Sequence, residues 1–229
     1  MSFVAPVLDP QLAEIAPGFR ALSISVEATQ IEHPQVSKDA LEKACESLVA
    51  DTPVWAKSHL AAWANAFRLF GAKPQRTPCS AEALRKRVLR DGSLPSINPI
   101  VDLYNAISIK YAIPVGGENF DAYIGGPRLT IADGTELFDT TKDGSAANEP
   151  PEKGEVIWRD DHGATCRRWN WRQGTRTRLD SNTKRMWFIL ESLPEMPIEA
   201  LKAAGDELSS GLQQMMPEAK IASQLIEFY

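Results

Sequence analysis

Residues 94–121 read LPSINPIVDLYNAISIKYAIPVGGENFD, and this stretch decides the fold more than any other. From Ile97 to Tyr111 apolar side chains recur at helical spacing, and further apolar residues fill most of the other faces. That pattern predicts a helix buried on several sides. The chain then passes Pro114 and a pair of glycines, which lack a Cβ and let the backbone approach another group closely.

Three polar residues interrupt this apolar helix. Asn98, Asp102 and Asn105 are spaced so that they share one stripe of the helix surface. Burying a carboxylate or an amide without a hydrogen bond costs about 2–7 kcal/mol. We therefore expect these residues to bond to a neighbouring loop or to line a cavity, and the role of Asp102 is either structural or chemical.

The composition is that of a globular chain with no general attraction for nucleic acids. Its 229 residues are 43% apolar, and the net charge is −5. Three widely spaced cysteines and three isolated histidines form neither a disulfide framework nor a metal motif, so we expect no metal. There is no glycine-rich phosphate loop, which argues against a nucleotide cofactor, and we expect no other cofactor. The sequence shows no signal-peptide pattern and no apolar run of membrane length, which favours a cytoplasmic protein with no membrane partner.

Helices precede strands along the chain, which indicates the α+β class. The segment at 139–154 is polar and long enough to predict a mobile flap. Helices are predicted from about Lys38 (capped by Ser37) to Ala50, from Thr52-Pro53 (with Thr52 as the N-cap) to near Gly71, from Ser80 to Gly92, over 97–111 and over 197–216. Strands are predicted at 19–27, 128–134, 135–139, 155–163, 165–173, 184–193 and 220–229.

A basic block stands out in this acidic chain. It contains seven basic residues and one acid, and Trp169 and Trp171 share one face of the strand predicted there. Basic residues interleaved with aromatic ones can hold phosphates and stack a base, which predicts contact with RNA. The alternative is a solvated hairpin face whose tryptophans belong to the core. The basic residues are Arg167, Arg168, Arg172, Arg176, Arg178, Lys184 and Arg185.

Polar side chains beside this block could line a pocket. Gln173, Thr175 and Thr177 can bond to an amino acid or a ribose, or they can form turns and a strand edge. Cys166 follows His162 by four residues, which is open to two interpretations. The pair is either a nucleophile with its base, or a core cysteine and a turn histidine.

The segment from Ile97 to Asp121 resembles the start of the B3/B4 module of the bacterial phenylalanyl-tRNA synthetase β subunit. That module has an asparagine, a Val-Asp pair and an asparagine on a helix, then a proline and a terminal Phe-Asp. The resemblance extends over about 94–193, including a stretch from Arg128 to Glu136 and the threonines that precede 186–191. The matching residues are Asn98, Val101, Asp102, Asn105, Pro114, Phe120 and Asp121.

The resemblance implies a three-layer α+β fold that contains a β-sandwich of unusual topology. It also implies one B3/B4-type domain over 1–229, made of a helical extension (1–93), a core (94–193) and a C-terminal helix and strand (194–229). In the synthetase this module hydrolyses tyrosine wrongly attached to the phenylalanine tRNA. The implied partner is therefore tRNA or aminoacyl-tRNA, and no DNA.

One departure from the family pattern bears on activity, because Gly116 stands where the synthetase module has a pocket histidine. Two main hypotheses follow: an aminoacyl-tRNA deacylase that acts in trans, or a non-catalytic module that binds an amino acid, a small molecule or tRNA. A third is a hydrolase or transferase of small amides. For the deacylase, Gly116, Gly117 and Glu118 form the pocket wall. Glu118 is the general-base candidate, its alternative being an exposed loop glutamate.

Overall fold

The computed structural model describes residues 4–50 and 52–228. Within these residues the chain forms six α-helices and eleven strands. The helices are α1 (Leu12–Ile15), α2 (Gln35–Ala50), α3 (Ala56–Leu69), α4 (Ser80–Asp91), α5 (Pro99–Tyr111) and α6 (Ile198–Met215). The strands are β1 (Val7–Leu8), β2 (Arg20–Glu27), β3 (Val115–Asn119), β4 (Arg128–Ile131), β5 (Asp139–Lys142), β6 (Ser145–Asn148), β7 (Val156–Arg159), β8 (Ala164–Arg167), β9 (Arg172–Gln173), β10 (Arg185–Ser192) and β11 (Lys220–Glu227).

The helix α5 confirms the prediction made from the opening stretch. The side chain of Asn98 caps its first turn by accepting a hydrogen bond from the backbone N–H of Val101 at 3.0 Å, and Pro99 occupies the first helical position. The helix ends at Tyr111, and the capping residue Ala112 adopts a left-handed conformation with φ of 52°. Because α5 packs against α2, α4, α6 and β3, most of its faces are buried as predicted.

The four-stranded sheet, ordered β11-β2-β10-β3, is the middle layer. Successive side chains of a strand point to opposite faces, so β10 contributes to two cores. Phe188 and Leu190 pack with α5 and α6 in one core. Trp187 and Ile189 pack with the five-stranded sheet β1-β4-β7-β8-β9 in the other. Helices, sheet and second sheet therefore form three layers, which confirms the expected α+β fold.

Several local predictions need correction. The segment 139–154 contains the antiparallel hairpin β5–β6, so it is a defined element rather than a long irregular flap. Thr52 does not cap α3, since its hydroxyl donates back to the Leu48 carbonyl at 3.2 Å. Ser37 lies inside α2, where its hydroxyl donates to the Pro34 carbonyl. Of the stretch 135–139 only Asp139 belongs to a strand, β5, and Leu137 forms an isolated bridge with Gly163.

The strand predicted over 165–173 was also wrong. It is interrupted after Arg167 because Arg168 and Trp169 adopt left-handed conformations, with φ of 47° and 62°. The turn sends Trp169 into the core, where it is fully buried. Trp171 stays half-buried, with the Arg168 guanidinium 4.7 Å from its ring centre. The two tryptophans therefore do not share a strand face.

Candidate functional site

A cavity of about 270 Å³ lies between the two sheets. Its floor is one face of β10, on which Trp187, Ile189 and Glu191 follow one another at alternate positions. The neighbouring strand β3 places Glu118 directly opposite Trp187 and Gly116 opposite Ile189. Other walls come from α4, α5 and the second sheet: Ser80, Ala83, Leu84, Tyr104, Asn105, Trp158, Cys166, Trp169, Asn170, Trp171 and Gln173.

Glu118 is buried in this cavity wall, with 5% of its surface exposed. Its Oε1 accepts hydrogen bonds from the Thr177 hydroxyl at 3.1 Å and from the Gln173 amide at 3.3 Å. The Tyr123 hydroxyl donates to Oε2. Burial raises the pKa of Glu118 to about 7, although the hydrogen bonds from Thr177 and Gln173 act in the opposite direction. The carboxyl group can therefore exchange a proton near neutral pH.

Glu191 is a second buried carboxylate, which the sequence analysis missed. The indole N–H groups of Trp169 and Trp158 donate to its Oε1 at 2.8 and 3.0 Å, and the Asn170 amide donates to Oε2 at 3.0 Å. Burial raises its pKa to about 7. The sequence does contain one signal for this residue, since it directly follows the apolar run 186–190. Burying a carboxylate beside such a run costs free energy unless the group has hydrogen-bond partners, so a site could have been suspected there.

Part of the predicted pocket set meets at this cavity. Asn105, Gly116, Gly117, Glu118 and Gln173 line it. The Thr177 hydroxyl reaches it through its bond to Glu118.

Three other predicted residues do not line this cavity. Asn98 caps α5, and the Thr175 backbone N–H donates to the Asp139 carbonyl at 2.8 Å. Asp102 accepts hydrogen bonds from the Ser96 hydroxyl and, at 2.8 Å, from the Ile97 backbone. These contacts fix the segment that precedes α5. They correspond to the structural role, one of the two considered for Asp102.

Most of the basic block is engaged in ion pairs within the chain. Arg167 is buried against Glu155 at 2.9 Å, and Arg176 binds Asp160 at 2.9 Å. Arg178 and Lys184 are exposed and have no ion-pair partner in the described part of the chain. The remaining pairs are Arg168 with Glu152, Arg172 with Glu149 and Arg185 with Asp121.

Cys166 and His162 do not form a reactive pair. Burial raises the pKa of the Cys166 thiol well above its usual range, so the thiol stays protonated. His162 lies 3.8 Å from Asp139. These contacts fit the second interpretation, a core cysteine and a turn histidine, and Cys166 also lines the cavity.

Comparisons with known proteins identify one family and one similar fold. The B3/4 domain matches residues 62–205. Among solved structures, the chain is similar to the crystal structure of an N-terminal fragment of the phenylalanyl-tRNA synthetase beta-subunit from Pyrococcus horikoshii, with a TM-score of 0.54 and 14% identity. The alignment covers 100% of this chain and 55% of that fragment, so the chain spans about half of its length. No curated protein matches the sequence. In the described residues, no helix is long and apolar enough to cross a membrane.

Proposed function

Because the chain belongs to the B3/4 domain family, we propose that its cavity binds the aminoacyl group of an aminoacyl-tRNA and that the protein hydrolyses this ester in trans. The cavity volume of about 270 Å³ is slightly below the range of roughly 300–1,000 Å³ typical of drug-sized ligands. That size suits one amino-acid side chain. The aromatic walls would hold its apolar part.

The observation that supports hydrolysis is the raised pKa of Glu118 in the cavity wall. A general base works best when its pKa lies near the working pH, and burial brings the pKa of Glu118 to about 7. Tyr123, Gln173 and Thr177 fix the orientation of its carboxylate. A water molecule activated by Glu118 would attack the ester carbonyl, and the terminal ribose hydroxyl would leave. This mechanism needs no histidine at position 116.

Release of amino acids from a panel of correctly and incorrectly charged tRNAs tests this proposal. We expect selective release from one mischarged species. Glu118→Gln should lower that rate by about 10²–10⁴-fold, the usual contribution of a general base. Glu195→Gln, which makes the same charge change at an exposed position, is the matched control. Release that is unaffected by Glu118→Gln would refute the assigned base.

A non-catalytic module that binds a free amino acid or small molecule is the second candidate. The observation that favours it is the pairing of five of the seven basic residues with acids of the same chain. A net charge of −5 adds to this. Under this alternative no charged tRNA loses its amino acid, even with protein in excess over tRNA, while free amino acids or their esters still raise the melting temperature of the protein.

A further inference from the structure

Two buried carboxylates line the cavity. Among the residues that the structure describes, none that lines it is lysine, arginine or histidine. At the Glu191 end, the three groups that donate to the carboxylate are neutral indole and amide N–H groups. A buried carboxylate without a positive partner is costly, and a positively charged ligand would remove that cost.

Two residues that line this cavity carry unpartnered polar atoms, and one of them, Asn170, contacts Glu191. Asn170 is 8% exposed, and its Oδ1 has no hydrogen-bond partner in the part of the chain that the structure describes. The same holds for the hydroxyl of Ser80 at the start of α4. Both residues line the cavity. Together with the Oε2 of Glu191, they offer three oxygen acceptors, and a primary ammonium has three N–H donors and no acceptor.

The two carboxylates lie at opposite ends of the cavity. Glu118 is paired with Trp187, and Glu191 comes four residues later on the same strand. Four residues of a strand span about 13 Å. If the ester lies beside Glu118, the neighbouring α-amino group is too close to that end to reach Glu191. A group that binds Glu191 must therefore sit at the far end of the ligand's side chain.

We propose that Glu191, Asn170 and Ser80 bind a primary ammonium at the end of the ligand's side chain, so that the aminoacyl group accepted by this cavity is a basic one with an aliphatic stem. The stem would pack on Trp187 and Ile189, as the methylene groups of lysine commonly pack on apolar surfaces. The placement of the ester rests on the proposed function, but binding of the ammonium does not require hydrolysis.

Calorimetric titration with three esters that share one skeleton tests the proposal. The probes are the methyl esters of L-lysine, L-6-hydroxynorleucine and L-norleucine, which differ only in the terminal group. We expect the lysine ester to bind at least tenfold more tightly than either of the others. Equal affinities, or tightest binding of the hydroxyl compound, would overturn the proposal. The preference should persist at high salt, because a buried ion pair is screened less than a surface pair.

Two variants connect the preference to the assigned residues. Glu191→Gln should lower the affinity for the lysine ester at least tenfold and leave that for the norleucine ester within twofold. Since Glu191 also holds two tryptophans, Ser80→Ala provides a milder second variant, expected to weaken only the lysine ester by several-fold. Unchanged lysine affinity in both variants would contradict the assignment.

Hydrolysis is a separate readout. If the lysine ester is preferred while no charged tRNA is deacylated, the ammonium site stands and the proposed deacylase fails. If a tRNA charged with a neutral amino acid is the selected substrate, the deacylase stands and the ammonium site fails.

Discussion

Protonation of the two cavity glutamates is coupled to folding. Burial raises the pKa of both Glu118 and Glu191 from 4.5 to about 7, so the folded state binds protons more tightly than the unfolded chain. Stability from this source is therefore fully present below pH 4.5 and is lost as the pH rises to about 7. A difference of 2.5 pKa units corresponds to roughly 3 kcal/mol for each group.

The variant Glu191→Gln should change this dependence in a defined way. Because glutamine does not titrate, we expect the loss of stability between pH 4.5 and 8 to be about 3 kcal/mol smaller than in the wild type. Urea unfolding at a series of pH values measures it, with Glu195→Gln as an exposed control. Parallel stability curves for wild type and Glu191→Gln would contradict the raised pKa.

His59 has a structural role that the sequence did not reveal. It is fully buried, and its Nε2 accepts from the Trp63 indole and the Leu193 backbone, both at 3.1 Å, while Nδ1 donates to the Ala112 carbonyl at 2.9 Å. Burial lowers its pKa to about 4, so its contribution to stability is lost as the pH falls from 6.5 to 4. Trp63 lies one turn further along the same helix, α3, but Ala112 and Leu193 belong to distant parts of the chain, so sequence spacing alone could not assign this role.

At the scale of elements, β3 contains two adjacent glycines with different surroundings. A Cβ on Gly117 would lie 2.9 Å from atoms of Leu179, Phe188 and Tyr104, which is too close for any real contact. A Cβ on Gly116 would meet only Ile189, at 3.4 Å. The same substitution at these two positions of one strand therefore compares a site without room for a Cβ with a site that has room.

We expect Gly117→Ala to destabilise the protein by about 1–3 kcal/mol, the usual cost of overpacking a core. Gly116→Ala should cost less than about 1 kcal/mol but should reduce ligand binding, because its methyl group points into the cavity. Chemical denaturation and calorimetry separate the two effects. Equal destabilisation by both substitutions would show that the packing around β3 differs from this description.

The elements also show where sequence prediction worked. Periodicity and capping predicted α5 and its asparagine cap, since these signals are local to the segment itself. The end of β8 could not be predicted, because Arg168 and Trp169 adopt left-handed conformations that neither residue type favours. Burial of Trp169 against Phe19 and Trp63 stabilises that turn, and those contacts come from distant parts of the chain.

For the whole molecule, the predicted residues that line the candidate site lie on one segment, with the exception of Gln173. The glycines and Glu118 on β3 follow directly after α5, so the opening stretch contained one wall of the cavity. Glu191 reaches the cavity only because β10 pairs with β3. Its orientation then depends on Trp158 and Trp169 from the second sheet, and the packing of one sheet on another cannot be inferred from local patterns.

The charge distribution of the whole molecule predicts how tRNA binding would depend on salt. Each phosphate contact by a free cation contributes about −0.7 to −0.9 to the slope of log affinity against log salt concentration. If all seven residues of the basic block took part, the slope would be about −5 to −6. Five of them are paired with acids of this chain, and the net charge is −5, so we expect contacts mainly from Arg178 and Lys184.

We therefore expect a slope no steeper than about −2 for bulk tRNA, measured by titration between 50 and 200 mM salt, a range over which phosphate contacts typically change affinity strongly. The double variant Arg178→Gln, Lys184→Gln should remove most of that dependence. Lys38→Gln with Lys43→Gln makes the same charge change on the exposed face of α2 and should not. A wild-type slope of about −5 would contradict this expectation, because it requires more phosphate contacts than Arg178 and Lys184 can make.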